Sequence, residues 1–341
     1  MEPIVQWITT GEALEDTLRG TGAGPVAVDT EADSMHHYPE KVCLIQLSFR
    51  GRDYLIDPLA GIDVSAFAAL MADGERRKIL HGADYDLRVL HRDFAVRVRG
   101  LFDTMVAARL TGERRFGLAA LLESRLSIKL DKKYQRADWS RRPLPEPMVR
   151  YAVLDTRHLE ALAGLLIADL ERLGRVSWAE EEFRRLETVR WTDSPEGEAF
   201  RKIRGATKLS RRELAVLREL VAVRETEARK RDRPPFRILS NDTLLDLARA
   251  MPARREDLRE TRALPDRWRG GEAARRLVEA VDRARALGDS ELPRITNHRR
   301  PPRDPRFDSE VKRLGRERDR IAKSSASNRR SWHRERSWKK P

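Results

Sequence analysis

Two carboxylates stand two residues apart at the end of a short apolar segment, in VAVDTEAD. Residues 26–28 are typical of a buried strand, and Asp29 and Glu31 come at its end. In an extended strand, side chains two residues apart project from the same face. Like charges held together in this way are costly to bury unless a cation compensates them. The pair therefore predicts a cation-binding site.

Two later segments carry further acidic side chains. In KILHGADYDLRVL a short strand ends in a loop, and Asp84 and Asp86 stand at the start of the next helix. An aspartate at a helix N-terminus commonly serves as a cap or interacts with the helix dipole, so we expect a structural role for one of the two. In the predicted helix MVRYAVLDTRHL, Tyr151 and Asp155 are four residues apart and share one face.

Each of these carboxylates, taken alone, is more often structural than catalytic. Together they form an Asp-x-Glu strand, an aspartate at a helix start and a Tyr-x-x-x-Asp helix. Four acidic side chains that converge on one site would bind two hard divalent cations, Mg²⁺ or Mn²⁺, about 4 Å apart. Such a centre activates a water molecule and stabilises the leaving oxygen in phosphodiester cleavage.

The three segments resemble the motifs of the DEDD 3′→5′ exonucleases, in the subgroup with tyrosine in the third motif. AVDTE resembles the first motif, HGADYDL the second and YAVLDTRHL the third. The bacterial ribonuclease D family is the most similar, through LDKKYQRADWSRRPL and through residues 208–287, which resemble the helicase-and-RNase-D C-terminal (HRDC) domain. In that family the catalytic aspartate of the second motif directly precedes the leucine. This implies Asp86 and leaves Asp84 as a loop or cap residue.

The resemblance implies a ribonuclease-H-like fold and a role for each motif residue. Asp29, Glu31 and Asp155 would bind the metal that holds the attacking water. Asp29 would also bridge to a second metal, which Asp86 would support directly or through water. Tyr151 would orient or deprotonate the attacking water, and its ordinary pKa of about 10 suits orientation better unless the metals lower it.

We therefore expect a metal-dependent 3′→5′ exoribonuclease that releases nucleoside 5′-monophosphates from structured RNA 3′ ends, such as those of tRNA precursors. One alternative keeps the same chemistry and changes the substrate to DNA. Another is a nucleic-acid-binding protein whose nuclease domain is inactive. The resemblance along the whole chain favours RNA, and the five intact motif residues argue against an inactive domain. No feature of the sequence indicates a protein partner.

The elements around these motifs predict an α/β domain followed by a small all-helical domain. Residues 1–193 alternate strand and helix patterns, and close early strands with later helical crossovers predict a mixed sheet. Residues 194–207 contain Pro and Gly without a long apolar run, which predicts a linker. Residues 208–288 have helical periodicity and predict a bundle of short helices. Residues 289–341 predict a basic, mostly disordered tail with one exposed helix, or a truncated second helical domain.

The formal net charge of +14 indicates a polyanionic partner, and much of it lies near the end of the sequence. Residues 291–341 contain 17 Lys or Arg against 7 Asp or Glu, a net charge of +10. Trp332 and Trp338 stand among these arginines. Cationic and stacking side chains together suit contact with an RNA backbone and unpaired bases, so we expect the tail to add affinity.

Several other classes of site are not supported by the sequence. The chain has no GxxxxGK[ST] or GxSxG motif, and the glycines of GTGAG precede a strand instead of joining a strand to a helix. The single cysteine, Cys43, excludes an internal disulfide and a cysteine zinc cluster. The N-terminus does not resemble a signal peptide, and no apolar run reaches about 18 residues. We therefore expect a cytoplasmic protein with no membrane partner.

Overall fold

The computed structural model describes residues 5–20, 22, 24–131, 133–193, 197–261, 263–294 and 305–324. The chain divides into two compact units. We call the first the α/β unit; it comprises Met1–Asp33, Lys41–Trp191 and Arg303–Pro341. We call the second the helical unit; it comprises Ser34–Glu40 and Thr192–Pro302.

The α/β unit is built on a six-stranded sheet with strand order β1-β4-β3-β2-β5-β6. The strands are β1 (Val5–Ile8), β2 (Val26–Ala32), β3 (Val42–Phe49), β4 (Arg52–Ile56), β5 (Lys78–Leu80) and β6 (Leu101–Asp103). Strands β2, β3 and β4 are antiparallel neighbours, whereas β1 pairs with β4, and β5 with β2 and β6, in parallel. The predicted mixed sheet is confirmed, and β2, β3 and β4 form a three-stranded meander within it. Short hairpins suffice between antiparallel strands, while the parallel pairs need crossover helices.

Among the described residues between 5 and 193, eight helices accompany this sheet. They are α1 (Gly11–Arg19), α2 (Ser65–Ala72), α3 (Asp84–Phe94), α4 (Thr104–Thr111), α5 (Leu118–Leu126), α6 (Glu146–Arg157), α7 (Leu159–Arg172) and α8 (Val176–Leu186). Val28 of β2 belongs to the core on one face of the sheet, and Ala27 belongs to the core on the other face, which α7 helps to form. Because strand residues alternate, Asp29 and Glu31 face the same side as Ala27. The fold thus orients both carboxylates toward the helices of that side.

In the helical unit, α9 (Arg211–Arg231), α10 (Pro235–Ile238), α11 (Asn241–Ala250) and α12 (Gly271–Ala286) surround one apolar core. Leu217 of α9, Leu244 of α11 and Leu277 of α12 are fully buried there. Ser240 caps α11, because its side chain accepts a hydrogen bond from the Thr243 amide at 3.0 Å. The predicted all-helical bundle is confirmed.

Residues 194–207 differ from the expected linker. Ala199–Lys202 and Ala206–Lys208 form 3-10 turns, and Phe200, Ile203 and Ala206 are buried in the core of the helical unit. Three apolar side chains at a spacing of three residues lie on one side of such turns, and this allows so short a segment to pack. In the part of this segment that the structure describes, the chain is therefore integral to the helical unit.

The structure describes only part of the expected basic tail, residues 289–341. Residues 289–294 pack on the helical unit, where the Arg211 guanidinium donates hydrogen bonds to the carbonyls of Asp289 and Leu292 at 2.6 and 2.9 Å. The expected helix is present as α13 (Pro305–Ser324). Residues 295–304 and 325–341, with Trp332 and Trp338, lie outside the described residues. Among the helices that could be searched, none combines the length and apolar character needed to cross a membrane.

Candidate active site

The structure brings the motif carboxylates together. Each of Asp29, Glu31 and Asp155 offers one carboxylate oxygen, and these oxygens all lie within 4.8 Å of one another. The first two come from β2 and the third from α6, so residues more than 120 positions apart in the chain meet at one point. Tyr151 lies one turn before Asp155 on α6, and the interaction of the two side chains raises the pKa of Tyr151 and lowers that of Asp155. As predicted, Asp29 and Glu31 share one face of β2, and Tyr151 and Asp155 share one face of α6.

Burial and mutual repulsion dominate the electrostatics of this cluster. Burial raises the pKa of Asp29 well above its ordinary value, and the charges of Asp86, Asp155 and Glu31 raise it further. Burial likewise raises the pKa of Glu31, with additional effects of Asp155 and Asp86. Burial raises the pKa of Asp155 to about 7, against the hydrogen bond from Tyr151, which lowers it. The four carboxylates therefore resist ionisation together.

These donors fit a hard divalent cation. Carboxylate oxygens are the ligands that Mg²⁺ and Mn²⁺ prefer, and three of them here are close enough to share one ion. Among the described residues, no Lys or Arg forms an ion pair with Asp29, Glu31, Asp86 or Asp155. A bound cation would thus supply the positive charge that the surrounding side chains do not.

Asp86 and Asp84 occupy different environments at the start of α3. Asp86 is 7% exposed and accepts a hydrogen bond of 2.5 Å from the Thr30 hydroxyl. Burial raises the pKa of Asp86 to about 6, although this hydrogen bond opposes the shift. Asp84 is exposed and binds the Arg88 guanidinium one turn later, at 2.9 and 3.1 Å. The expectation that Asp84 is a loop or cap residue is corrected: it is the first residue of α3 and makes an i,i+4 ion pair.

Tyr151 is held by two aromatic neighbours. Its ring centroid lies 6.0 Å from that of Tyr134 and 5.9 Å from that of Trp139, which is almost fully buried. Burial raises the pKa of Tyr151 above its ordinary value, and so do the charges of Asp155, Glu31 and Asp29. The Tyr151 hydroxyl therefore keeps its proton near neutral pH in the metal-free protein, which favours orientation of water over proton abstraction.

A cavity of about 270 Å³ adjoins the carboxylates. Its lining residues are Leu130, Asp131, Lys133, Tyr134, Pro147, Arg150, Tyr151, Leu154 and Asp155. A group bound in this cavity would lie beside Tyr151 and Asp155, the two motif residues of α6. Four residues that precede the third motif in the sequence thus supply part of the wall of the site: Leu130, Asp131, Lys133 and Tyr134.

Sequence reasoning missed the residue that positions the second motif. The Asp103 carboxylate, at the end of β6, accepts hydrogen bonds from the amides of Gly82 and Ala83 at 3.1 and 2.8 Å. It also accepts from the Met105 amide at 2.8 Å and so caps α4. Gly82 has φ +72°, and a Cβ there would lie 2.6 Å from Met105 Cε. The aspartate between strand and helix in LFDTM could have been predicted from the sequence as a helix N-cap. Its hydrogen bonds to the loop before Asp86 could be seen only in the tertiary structure.

Comparisons with known proteins agree with this geometry. Residues 5–171 match the 3′-5′ exonuclease family, and residues 213–281 match the HRDC domain. Ribonuclease D of Zymomonas mobilis is 35% identical over 272 residues, which cover 79% of this chain and 69% of that protein. Ribonuclease D of Gluconacetobacter diazotrophicus is 35% identical over 300 residues, which cover 87% of this chain and 76% of that protein.

The chain belongs to the ribonuclease D family. A crystal structure of Escherichia coli RNase D is 28% identical, with a TM-score of 0.79, and the match covers 99% of this chain and 89% of that one. The predicted ribonuclease-H-like fold and HRDC domain are confirmed. As a ribonuclease D family member the chain is a 3′-5′ exoribonuclease, and the DNA alternative is not favoured.

Proposed function

We propose that this ribonuclease D family member trims the 3′ ends of structured RNA, including tRNA precursors, and releases nucleoside 5′-monophosphates. The observation that carries the proposal is the convergence of Asp29, Glu31 and Asp155 within 4.8 Å beside the Tyr151 hydroxyl. The similar Escherichia coli RNase D is described as an exoribonuclease involved in structured RNA processing, which supports this substrate class. An RNA substrate of this kind would place the enzyme in the cytoplasm.

Asp29, Glu31, Asp86 and Asp155 would hold two divalent cations, Mg²⁺ or Mn²⁺. When bound, such ions lower the pKa of water and stabilise the oxygen that leaves phosphorus. Asp29 suits a shared position because Asp86, Asp155 and Glu31 all act on its carboxylate. Asp86, held by Thr30, would support this arrangement from the other side of the cluster. Residues 1–193 would supply the chemistry, while residues 208–288 would add contacts with RNA.

The side chains of α6 would set the direction of attack. The Tyr151 hydroxyl would donate a hydrogen bond toward the Asp155 carboxylate, so its oxygen lone pairs would remain available to accept a hydrogen bond from the attacking water. The oxygen of this water forms a bond to the terminal phosphorus as the P–O3′ bond to the preceding nucleotide breaks. The preceding nucleotide retains the O3′ oxygen and gains a proton. The terminal nucleotide leaves with a 5′-phosphate.

Digestion of matched single-stranded RNA and DNA oligonucleotides, followed at both ends with Mg²⁺ or Mn²⁺, tests this proposal. We expect RNA to shorten from its 3′ end, nucleoside 5′-monophosphates to accumulate, and chelation of the metal to stop the reaction. The Asp155→Asn variant is the control for contaminating nucleases. Loss of the 5′ label first, or activity that survives chelation, would overturn the proposed polarity or metal requirement. Faster digestion of DNA would favour the alternative substrate.

A further inference from the structure

Four arginines surround a cavity of about 450 Å³ in the helical unit. Its lining residues are Arg231, Arg233, Arg237, Ile238 and Arg267. Arg231 ends α9, Arg237 belongs to α10, and Arg267 lies in the 3-10 turn Asp266–Trp268. Arginines of three elements, with Arg233 between α9 and α10, thus line one cavity. Arg267 is held in place, because its guanidinium donates to the carbonyls of Arg237 and Ile238 at 2.9 and 3.0 Å.

We call this site the arginine cavity. Two of its arginines differ from other arginines of the helical unit in their ion pairing. On α11 and α12, Arg249 binds Asp246 at 3.2 Å and Arg275 binds Glu272 at 2.5 Å. Within the described part of the chain, neither Arg233 nor Arg237 forms an ion pair. Their two charges are therefore available to an anion without the loss of an internal partner.

The acidic residues nearest in sequence interact with side chains other than Arg233 and Arg237. Glu227, which pairs with Arg231, also accepts from Arg276 at 3.0 Å. The Asp232 carboxylate interacts with the His37 ring at 2.6 Å and accepts from the Tyr38 amide at 3.0 Å. Asp266 lies 3.4 Å from Arg269. The cavity therefore keeps a positive excess although carboxylates are close in the sequence.

An exposed aromatic residue directly precedes one of these arginines in the sequence. Phe236 directly precedes Arg237 on α10, and 51% of its surface is exposed. Proteins that bind single-stranded nucleic acid combine a positively charged groove with aromatic side chains. Guanidinium groups bind phosphate oxygens bidentately, and aromatic rings stack on unpaired bases. Phosphate and base alternate along a single nucleic-acid strand, so both kinds of group suit the same ligand.

We propose that the arginine cavity and Phe236 form a binding site for single-stranded RNA. Arg233 and Arg237, with Arg231 and Arg267, contact phosphates, and Phe236 stacks on an unpaired base. The inference rests on the proposed function for its choice of RNA as ligand. It assigns to the HRDC domain a defined surface that retains the strand while the α/β unit removes nucleotides.

The double variant Arg233→Gln/Arg237→Gln tests the phosphate contacts, with Arg249→Gln/Arg275→Gln as a control that removes the same charge elsewhere in the unit. Fluorescence anisotropy of a labelled, 3′-blocked single-stranded RNA in EDTA measures binding over a range of salt concentrations. For the cavity variant we expect a Kd about tenfold higher and a salt slope lower by about 1.4, since each contacted phosphate contributes about 0.7. The control should change Kd less than about twofold.

Two further variants separate charge from stacking and guard against misfolding. Phe236→Ala should weaken binding by about fivefold and leave the salt slope unchanged, because stacking releases no counterions. Arg233→Lys/Arg237→Lys keeps both charges and should retain the wild-type slope. Equal binding by wild type and the glutamine variant would overturn the inference, and so would an equal loss in the control.

A minimal substrate distinguishes this inference from the proposed function. The p-nitrophenyl ester of a nucleoside 5′-monophosphate occupies only the active site, so the glutamine variant should hydrolyse it at the wild-type rate. If the wild type hydrolyses neither this ester nor RNA while the glutamine variant still loses RNA binding, the proposed function fails and the binding site stands. If RNA is digested normally but the variant binds as the wild type does, only the binding site fails.

Discussion

Like charges lie close together in both the acidic active site and the arginine cavity, but the acidic site is buried and the arginines are exposed to solvent. Burial raises the pKa values of Asp29 and Glu31, and the charges of neighbouring carboxylates raise them further. The arginines of the cavity are exposed on the surface of the helical unit, where water screens their repulsion. We infer that ligand binding relieves stored repulsion at the first site and mainly releases counterions at the second.

The largest effect should come from the removal of a single carboxylate charge. Asp29→Asn or Asp155→Asn should lower the hydrolysis rate on the order of 10³-fold or more, because a metal ligand is lost. RNA binding in EDTA should change little, since the arginine cavity is untouched. Single-turnover cleavage and anisotropy on the same preparation measure both quantities. Wild-type turnover by either purified variant would refute the proposed ligand set.

Asp86→Ala and Asp84→Ala should differ sharply although the two residues are neighbours on α3. Loss of the Asp86 carboxylate should reduce activity by orders of magnitude, because it lies within the electrostatic reach of Asp29. Loss of Asp84 removes an exposed pair with Arg88 and should cost about 0.5 kcal/mol of stability, with little change in rate. Kinetics and thermal unfolding of both variants test this contrast. An inactive Asp84→Ala with an active Asp86→Ala would reverse the assignment.

Tyr151→Phe should lower kcat by about 100-fold and leave RNA affinity nearly unchanged. The ring would still pack beside Tyr134 and Trp139, so only the hydroxyl that we propose to orient water is removed. Steady-state kinetics with RNA give kcat and KM separately. An unchanged kcat would mean that the carboxylates and their cations orient the nucleophile without Tyr151.

The smallest effect concerns the stability of the metal-free protein. Burial raises the pKa of Asp86 to about 6 and that of Asp155 to about 7, from an ordinary 3.8. The protonated carboxyls therefore favour the folded state, and this contribution is lost as pH rises through 6 and 7. In EDTA, Tm should fall by a few degrees between pH 5 and pH 7.5. Asp29→Asn should reduce this fall in Tm, and Mn²⁺ at pH 7.5 should raise the Tm of the wild type. If the Tm difference between the variant and the wild type did not change with pH, the proposed repulsion between the carboxylates would be contradicted.

The parts of the site that depend on local periodicity were predictable. Asp29 and Glu31 share a face because strand side chains alternate, and Tyr151 and Asp155 share a face because helical side chains repeat after four residues. The break at His158 was not predictable in the same way. That residue separates α6 from α7 with φ −104° and ψ 1°, although the sequence there contains neither Pro nor Gly. The local sequence alone therefore does not account for that boundary.

Long-range assembly accounts for what the sequence did not reveal. Phe200, Ile203 and Ala206 were assigned to a linker because a linker and a short packed segment have similar composition, and only the core around them distinguishes the two. Asp103 positions the loop before Asp86 through hydrogen bonds across about 20 residues of sequence. Such contacts leave no periodic signal in the chain.

The sequence by itself determined the type of chemistry, because spacing within a strand or a helix decides which carboxylates share a face. It also determined the order of an α/β domain and a helical domain. Only the tertiary structure decided that β2 and α6 place three carboxylate oxygens within 4.8 Å, and that Arg233 and Arg267 line one cavity. Backbone geometry acts over a few residues, whereas the distance between separate elements depends on how their apolar faces pack.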